Sequence, residues 1–88
     1  MNDWFVYMVE CADGTLYTGI TTNLERRMEE HNHGGKLAAR YTRSRTPVQL
    51  VYSEVHPDRA TASKREAVLK RLPRAHKLRL IRTQEVAG

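Results

Sequence analysis

The chain has 88 residues and a net charge of +5, from 15 Lys or Arg against 10 Asp or Glu. That length suffices for one domain with a modest core and leaves no room for a separate recognition domain. The apolar runs are too short to span a membrane, no small-residue cleavage site follows the acidic start "MNDWFVY", and Cys11 alone excludes an internal disulfide, so a cytoplasmic protein without membrane contact is expected.

"DWFVYMVEC", from Asp3 to Cys11, is rich in β-branched and aromatic residues; "ADG" (Ala12–Gly14) is a turn signal, with Gly14 free to take a positive φ; and "TLYTGI" resumes strand composition. Together they predict an antiparallel hairpin. Period-two spacing puts Phe5, Tyr7 and Val9 on one face and Trp4, Val6 and Met8 on the other. Both faces are apolar, so the sheet is expected to be covered on both sides. "TTNLERRMEEHN" follows as a helix with Thr21, Thr22 or Asn23 as N-cap, a stripe of Leu24, Met28 and His31, and Gly34–Gly35 as its stop. "KLAARYTRSRTP" reads as a basic loop, and "VQLVYSEV" (Val48–Val55) as a third strand. Asp58 is a candidate N-cap for the helix over "TASKREAVLKRL"; Pro73 breaks it, and "RAHKLRLIRT" makes a short third helix. The order β-β-α-β-α-α predicts an α+β domain over residues 1–83, three antiparallel strands flanked by helices, with residues 84–88 as a frayed tail.

The charge is unevenly placed. Residues 1–35 carry two basic and six acidic side chains, and residues 36–88 carry thirteen basic and four acidic. A basic half of this kind suits a polyanion, nucleic acid above all. Arg27 and His31 are four apart and share a helix face with Asn23, whereas Arg26 lies one position off it. A guanidinium forks onto phosphate oxygens, and an imidazole can move a proton near neutral pH. Glu66 is the one carboxylate between Asp58 and Glu85, set among Lys64, Arg65, Lys70 and Arg71. It is either an ion-pair partner for Lys70 or a ligand for Mg²⁺, which takes one or two carboxylates and keeps its waters. His31, His33, His56 and His76 lack zinc-site spacing, "HGGK" lacks the strand and helix of a phosphate loop, and Cys11 has no histidine near it in sequence.

Taken together, these residues resemble the GIY-YIG nuclease family over about residues 4–72. "FVY" (Phe5–Tyr7) stands where the family's GIY lies, "YTG" (Tyr17–Gly19) where its YIG lies, and "NLERRMEEH" (Asn23–His31) is similar to the helix that carries the family's arginine. Glu66 matches the metal-binding glutamate, and "HNHGGKLAARYTRSRTPVQLVYSE" is most similar to the small stand-alone bacterial branch and to nucleases that cut branched DNA. Phe5, Val6 and Thr18 depart from the pattern at packing positions.

The resemblance implies a metal-dependent DNA endonuclease. Glu66 would hold Mg²⁺ (or Mn²⁺), and Tyr7 would take a proton from the attacking water, directly or through His31. A neighbouring cation would have to lower the phenol's ordinary pKa of ~10 for that role. Arg27 would stabilise charge on the phosphate, and Tyr17 would orient the water or phosphate. Gly19 would allow close approach of the backbone to substrate or helix. Lys36, Arg40, Arg43 and Arg45, with Tyr41 among them, suit the phosphates and unstacked bases of single-stranded or branched DNA. Arg74, Lys77, Arg79 and Arg82 on the third helix are expected to face outward, with Leu78 and Ile81 packed. The reading from a different class is a binding module that keeps the fold without cutting; a subunit that acts only beside a protein partner is a third, although no residue indicates such a partner.

Overall fold

A computed structural model describes residues 3–33 and 35–87, the side chains of residues 35 and 85–87 excepted. Three strands, β1 (Trp4–Glu10), β2 (Leu16–Thr21) and β3 (Gln49–His56), form one antiparallel sheet in the order β2-β1-β3. Three α-helices accompany it: α1 (Leu24–His33), α2 (Arg59–Arg71) and α3 (Arg74–Ala87). The predicted fold class and element order hold. Gly14 turns the first hairpin at φ +83°, the left-handed conformation that glycine adopts without steric cost.

The alternation along β1 sorts the core into two halves. Val6 and Met8 are fully buried on one face with Tyr52, Ala62, Leu69 and Ile81, beneath α2 and α3. Tyr7 and Val9 are buried on the other face with Cys11, Val48, Leu24 and Met28, beneath α1. Each large apolar side chain enclosed in this way contributes about 1.5–3 kcal/mol, and covering both faces of the central strand is what makes β1 apolar throughout. Thr18 occupies a packing position, as its place in the motif suggests, and is almost fully buried.

The helix boundaries follow from local chemistry. Asn23 caps α1: its side-chain oxygen accepts from the Arg26 N–H at 3.0 Å. Asp58 caps α2, accepting from the Thr61 N–H at 2.8 Å, a contact worth about 0.5–2 kcal/mol. α2 ends at Arg71, before Pro73, as the missing proline N–H requires. Arg65 forks onto both carboxylate oxygens of Glu54 on β3, at 2.9–3.1 Å, and fixes the roll of α2. Glu66, about 100° further round the helix, is thereby turned away from β3.

Three details differ from the expected layout. β3 is displaced one residue towards the C-terminus, with a bulge opposite Met8 and Val9. The basic loop contains a short 3-10 turn, η1 (Gly35–Leu37), followed by tight turns that bury Thr42 completely. The expected stop at Gly34 lies outside the described residues. α3 continues past residue 83 to Ala87, because Gln84 is tied to the sheet: its amide donates to the Ser53 carbonyl at 2.7 Å, and its oxygen accepts from the Ser53 N–H at 3.1 Å. Among the described residues no helix is long and apolar enough to cross a membrane.

Candidate active site

The site is assembled where β1, β2, α1 and the loop after α1 meet. Tyr7 points from β1 to the α1 side, and the residue has 1% exposure. His31, in the last turn of α1, is wholly buried and brings Nε2 to 2.9 Å from the Tyr7 hydroxyl. Its Nδ1 is 2.8 Å from the Thr42 hydroxyl. One turn back, Arg27 places Nε 3.4 Å from the Tyr7 oxygen, donating to it. Arg27 Nη1 is held by the Glu30 carboxylate at 2.8 Å and by the Leu37 carbonyl at 2.6 Å. The guanidinium is therefore oriented before any substrate arrives, with its side chain still 21% exposed. Arg26 points outward at 59% exposure, in loose contact with Thr22 and Glu30. Helical spacing thus placed Arg27, and not Arg26, beside Tyr7.

The electrostatics follow from burial. Enclosure of Tyr7 pushes its pKa up to about 12; the hydrogen bond and positive charge of Arg27 oppose this but are outweighed, while Tyr17 and Glu66 add to the rise. The expected lowering of the Tyr7 phenol by a neighbouring cation therefore does not occur in the protein alone, because desolvation disfavours the phenolate by more than one guanidinium restores. His31 is lowered to about 4, first by burial and then by the charge of Arg27, against a smaller opposing effect of Glu30. It is neutral at pH 7 and able to accept a proton. For Arg27 burial alone would lower the pKa, but the hydrogen bonds it donates to Glu30 and Tyr7 raise it above its ordinary value.

Tyr17 packs its ring against both partners, 5.6 Å from His31 and 6.5 Å from Tyr7 between centroids. Glu66 comes from α2, the helix packed on β1 and β2, and its charge is felt at Tyr7. Its carboxylate is half-buried, and the Lys70 ammonium stands 3.6 Å from Oε2, beyond a close hydrogen bond. A lone hard-oxygen donor of this kind fits Mg²⁺ or Mn²⁺, ions that retain waters and share phosphate oxygens. Among the described residues no three His, Cys, Asp or Glu side chains gather into a closed metal cage. Cys11 is buried, with its thiol pKa raised by desolvation, which suits packing rather than nucleophilic attack.

Three of the residues expected to contact nucleic acid also make contacts within the fold. Gly19 is buried directly beneath Tyr7: a Cβ there would stand 2.6 Å from the Tyr7 hydroxyl oxygen and 2.8 Å from Cζ. Its close approach within the fold is to the phenol. Tyr41 has a neighbour on each face, Tyr17 at 5.8 Å between centroids and the Arg45 guanidinium at 4.1 Å, and keeps 38% exposure. Arg45 is itself committed, bonding to Asp13 at 3.0 Å and to the Tyr41 carbonyl at 2.7 Å. These contacts clip the loop to the β1–β2 turn. Lys36, Arg40 and Arg43 remain on the exposed surface. Sequence reasoning missed Glu30 and Thr42; the i,i+3 pairing of Arg27 with Glu30 was visible in the chain, whereas nothing local marked Thr42.

Comparison with known proteins shows the family. The model of the GIY-YIG catalytic domain matches residues 3–79, and the chain belongs to that nuclease family. Its relatives include small proteins designated UPF0213. One, UPF0213 protein DP2720 of Desulfotalea psychrophila, is 60% identical over 82 residues, covering 93% of this chain and 74% of the relative. A UPF0213 protein of Syntrophus aciditrophicus is 50% identical, covering 93% of both chains. The solution NMR structure of protein EF2693 from E. faecalis superposes with a TM-score of 0.63 at 35% identity, covering 98% of this chain and 90% of that one.

Proposed function

We propose that the protein is a divalent-metal-dependent endonuclease that hydrolyses phosphodiester bonds in single-stranded or branched DNA, in DNA repair or processing. The observation that carries this reading is the buried Arg27–Tyr7–His31 constellation, in which an oriented guanidinium and a neutral imidazole both meet one phenol oxygen.

The chemistry follows from the proton positions. As the water oxygen forms its bond to phosphorus, one water proton passes to the Tyr7 oxygen while the Tyr7 proton passes to His31 Nε2. The phenol thus relays a proton without resting as a phenolate, which its raised pKa would penalise. The bond from phosphorus to the 3′ oxygen breaks, and the leaving oxygen takes its proton from solvent. Arg27 donates to the phosphate oxygens as their charge builds, and the incoming negative charge offsets its repulsion of a protonated His31. Tyr17 bounds the site and orients the water or phosphate. Glu66 would hold Mg²⁺ or Mn²⁺, which when bound neutralises charge on the phosphate and the leaving oxygen.

The test is cleavage of labelled single-stranded, flapped and duplex oligonucleotides with Mg²⁺, Mn²⁺ or EDTA. Glu66→Gln is expected to lose cutting and keep binding. Wild-type cleavage in EDTA, or an active Glu66→Gln variant, would remove the metal role. Binding without cleavage under every metal would leave the protein a non-catalytic nucleic-acid-binding module.

Lys36, Arg40 and Arg43 are proposed to grip the strand through phosphates alone, since Tyr41 and Arg45 are engaged in the fold. Replacing Arg40 and Arg43 together by alanine should weaken affinity for single-stranded DNA. It should also flatten its dependence on salt by about 0.7 per lost contact in log–log slope, with saturating turnover little changed. An unchanged slope would place the DNA on another surface, with the cations of α3 next in line.

A further inference from the structure

We propose that Thr42 is a positioning residue that fixes the tautomer of His31, so that the nitrogen facing Tyr7 is a proton acceptor. This rests on the nuclease reading for its consequence, but the tautomer itself follows from a count of hydrogens around a closed chain of contacts. The Tyr7 hydroxyl carries one proton. Arg27 Nε, its other polar neighbour at 3.4 Å, can only donate. Among the described residues, the acceptor within reach of the Tyr7 proton is His31 Nε2 at 2.9 Å. Nε2 is therefore bare, and the ring proton sits on Nδ1. Nδ1–H then donates to the Thr42 oxygen at 2.8 Å. That oxygen is available because the Thr42 hydroxyl spends its own proton on the Ala39 carbonyl at 3.0 Å.

The opposite assignment fails at the Tyr7 end. If Thr42 donated to Nδ1, Nε2 would carry hydrogen and donate to Tyr7. The phenol oxygen would then receive two donors, and among the described residues its own proton would have no acceptor. A buried donor left unpaired loses the water bonds it had before folding and gains nothing in return, a cost large enough to decide between tautomers.

The location of Thr42 suits this role. It is fully buried, and its backbone N–H also bonds the Ala39 carbonyl at 3.0 Å, so a tight turn holds the hydroxyl in place. When His31 takes the Tyr7 proton, both ring nitrogens become donors, one to the Tyr7 oxygen and one to Thr42. The same acceptor therefore serves the neutral and the charged ring. The groups that face this ring are Tyr7 from β1, Tyr17 from β2, Arg27 and Glu30 from α1, and Thr42 from the loop.

The experiment is a long-range ¹H–¹⁵N correlation spectrum of uniformly labelled protein at pH 7 without DNA, with His31 assigned by its loss in His31→Gln. The expected result is an Nδ1–H tautomer for His31 in the wild type, and a mixed or Nε2–H state in Thr42→Val. Thr42→Ser, which keeps the hydroxyl, should restore the wild-type pattern. In cleavage assays Thr42→Val should lower kcat by about 10- to 100-fold with KM near wild type, and Thr42→Ser should recover most of it. An Nε2–H tautomer in the wild type overturns the proposal even if Thr42→Val does not fold. An unchanged tautomer in a folded Thr42→Val also overturns it. A chain that cuts no DNA yet loses its tautomer in Thr42→Val upholds the positioning role and rejects the endonuclease reading.

Discussion

Arg27→Ala is expected to reduce the cleavage rate about 100-fold or more, the usual cost of one preorganised donor to a developing oxyanion, while Arg26→Ala stays close to wild type. The two arginines are adjacent in sequence and equal in charge, so any effect of net charge on DNA binding is shared. They differ in orientation. Arg27 reaches the Tyr7 oxygen with Nε and is locked by Glu30 and the Leu37 carbonyl, whereas Arg26 stands 59% exposed. Arg27→Lys should recover little, because an ammonium cannot hold Glu30, Leu37 and Tyr7 at once and still present a free nitrogen to phosphate. Single-turnover rates on one oligonucleotide at saturating protein measure the difference, with thermal melting of each variant as the check on folding. Equal losses for Arg26→Ala and Arg27→Ala would show that the guanidinium next to Tyr7 is not the one that meets the phosphate.

The second large effect is expected from a single methyl group. Gly19→Ala would put a Cβ 2.6 Å from the Tyr7 oxygen and 3.2 Å from Cε2 of Tyr17. Gly19 has no positive φ, so its backbone does not call for glycine; the requirement is space. The phenol has nowhere to retreat, being buried and bonded to His31 at 2.9 Å. Overpacking of this kind costs about 1–3 kcal/mol of stability. Turnover should fall on the order of 100-fold as well, since displacing the phenol breaks the relay to His31. A double-mutant cycle isolates the cause. In a Tyr7→Leu background, where the side chain ends short of the clash, the stability cost of Gly19→Ala should largely vanish. A cost of the same size in both backgrounds would mean that Gly19 answers to something other than Tyr7.

How far the sequence carries can be judged from these same residues. The hairpin, the two-faced β1 and the Asn23 and Asp58 caps were legible because each rests on neighbours within a few positions. That Arg27 and not Arg26 shares a face with His31 was legible for the same reason, since helical spacing decides it. What escaped depends on contacts between distant segments. Thr42 lies eleven positions from His31, in a loop without periodicity, and only the folded turn brings its hydroxyl to the ring. The ionisation of Tyr7 depends on how completely it is enclosed, which strand composition does not state. Tyr41 looked like a platform for a base because a sequence shows an aromatic among cations; whether its faces are free is decided by Tyr17 from β2 and by Arg45, which Asp13 in the hairpin turn holds in place.

The clasp of Gln84 on Ser53 bears on how this molecule avoids its own kind. β3 lies at the border of the sheet, and the outward N–H and C=O of Ser53 form the docking pattern that another strand would seek. The carboxamide of Gln84 answers both groups, a single side chain imitating one rung of a missing strand. Protection of that border therefore comes from α3, thirty-one positions further along the chain, and exists only once the helix has docked. Until then the border is open, and loosening of α3 would reopen it. The helix that lends no residue to the Arg27–Tyr7–His31 cluster is thus the element that covers this rung of the open border.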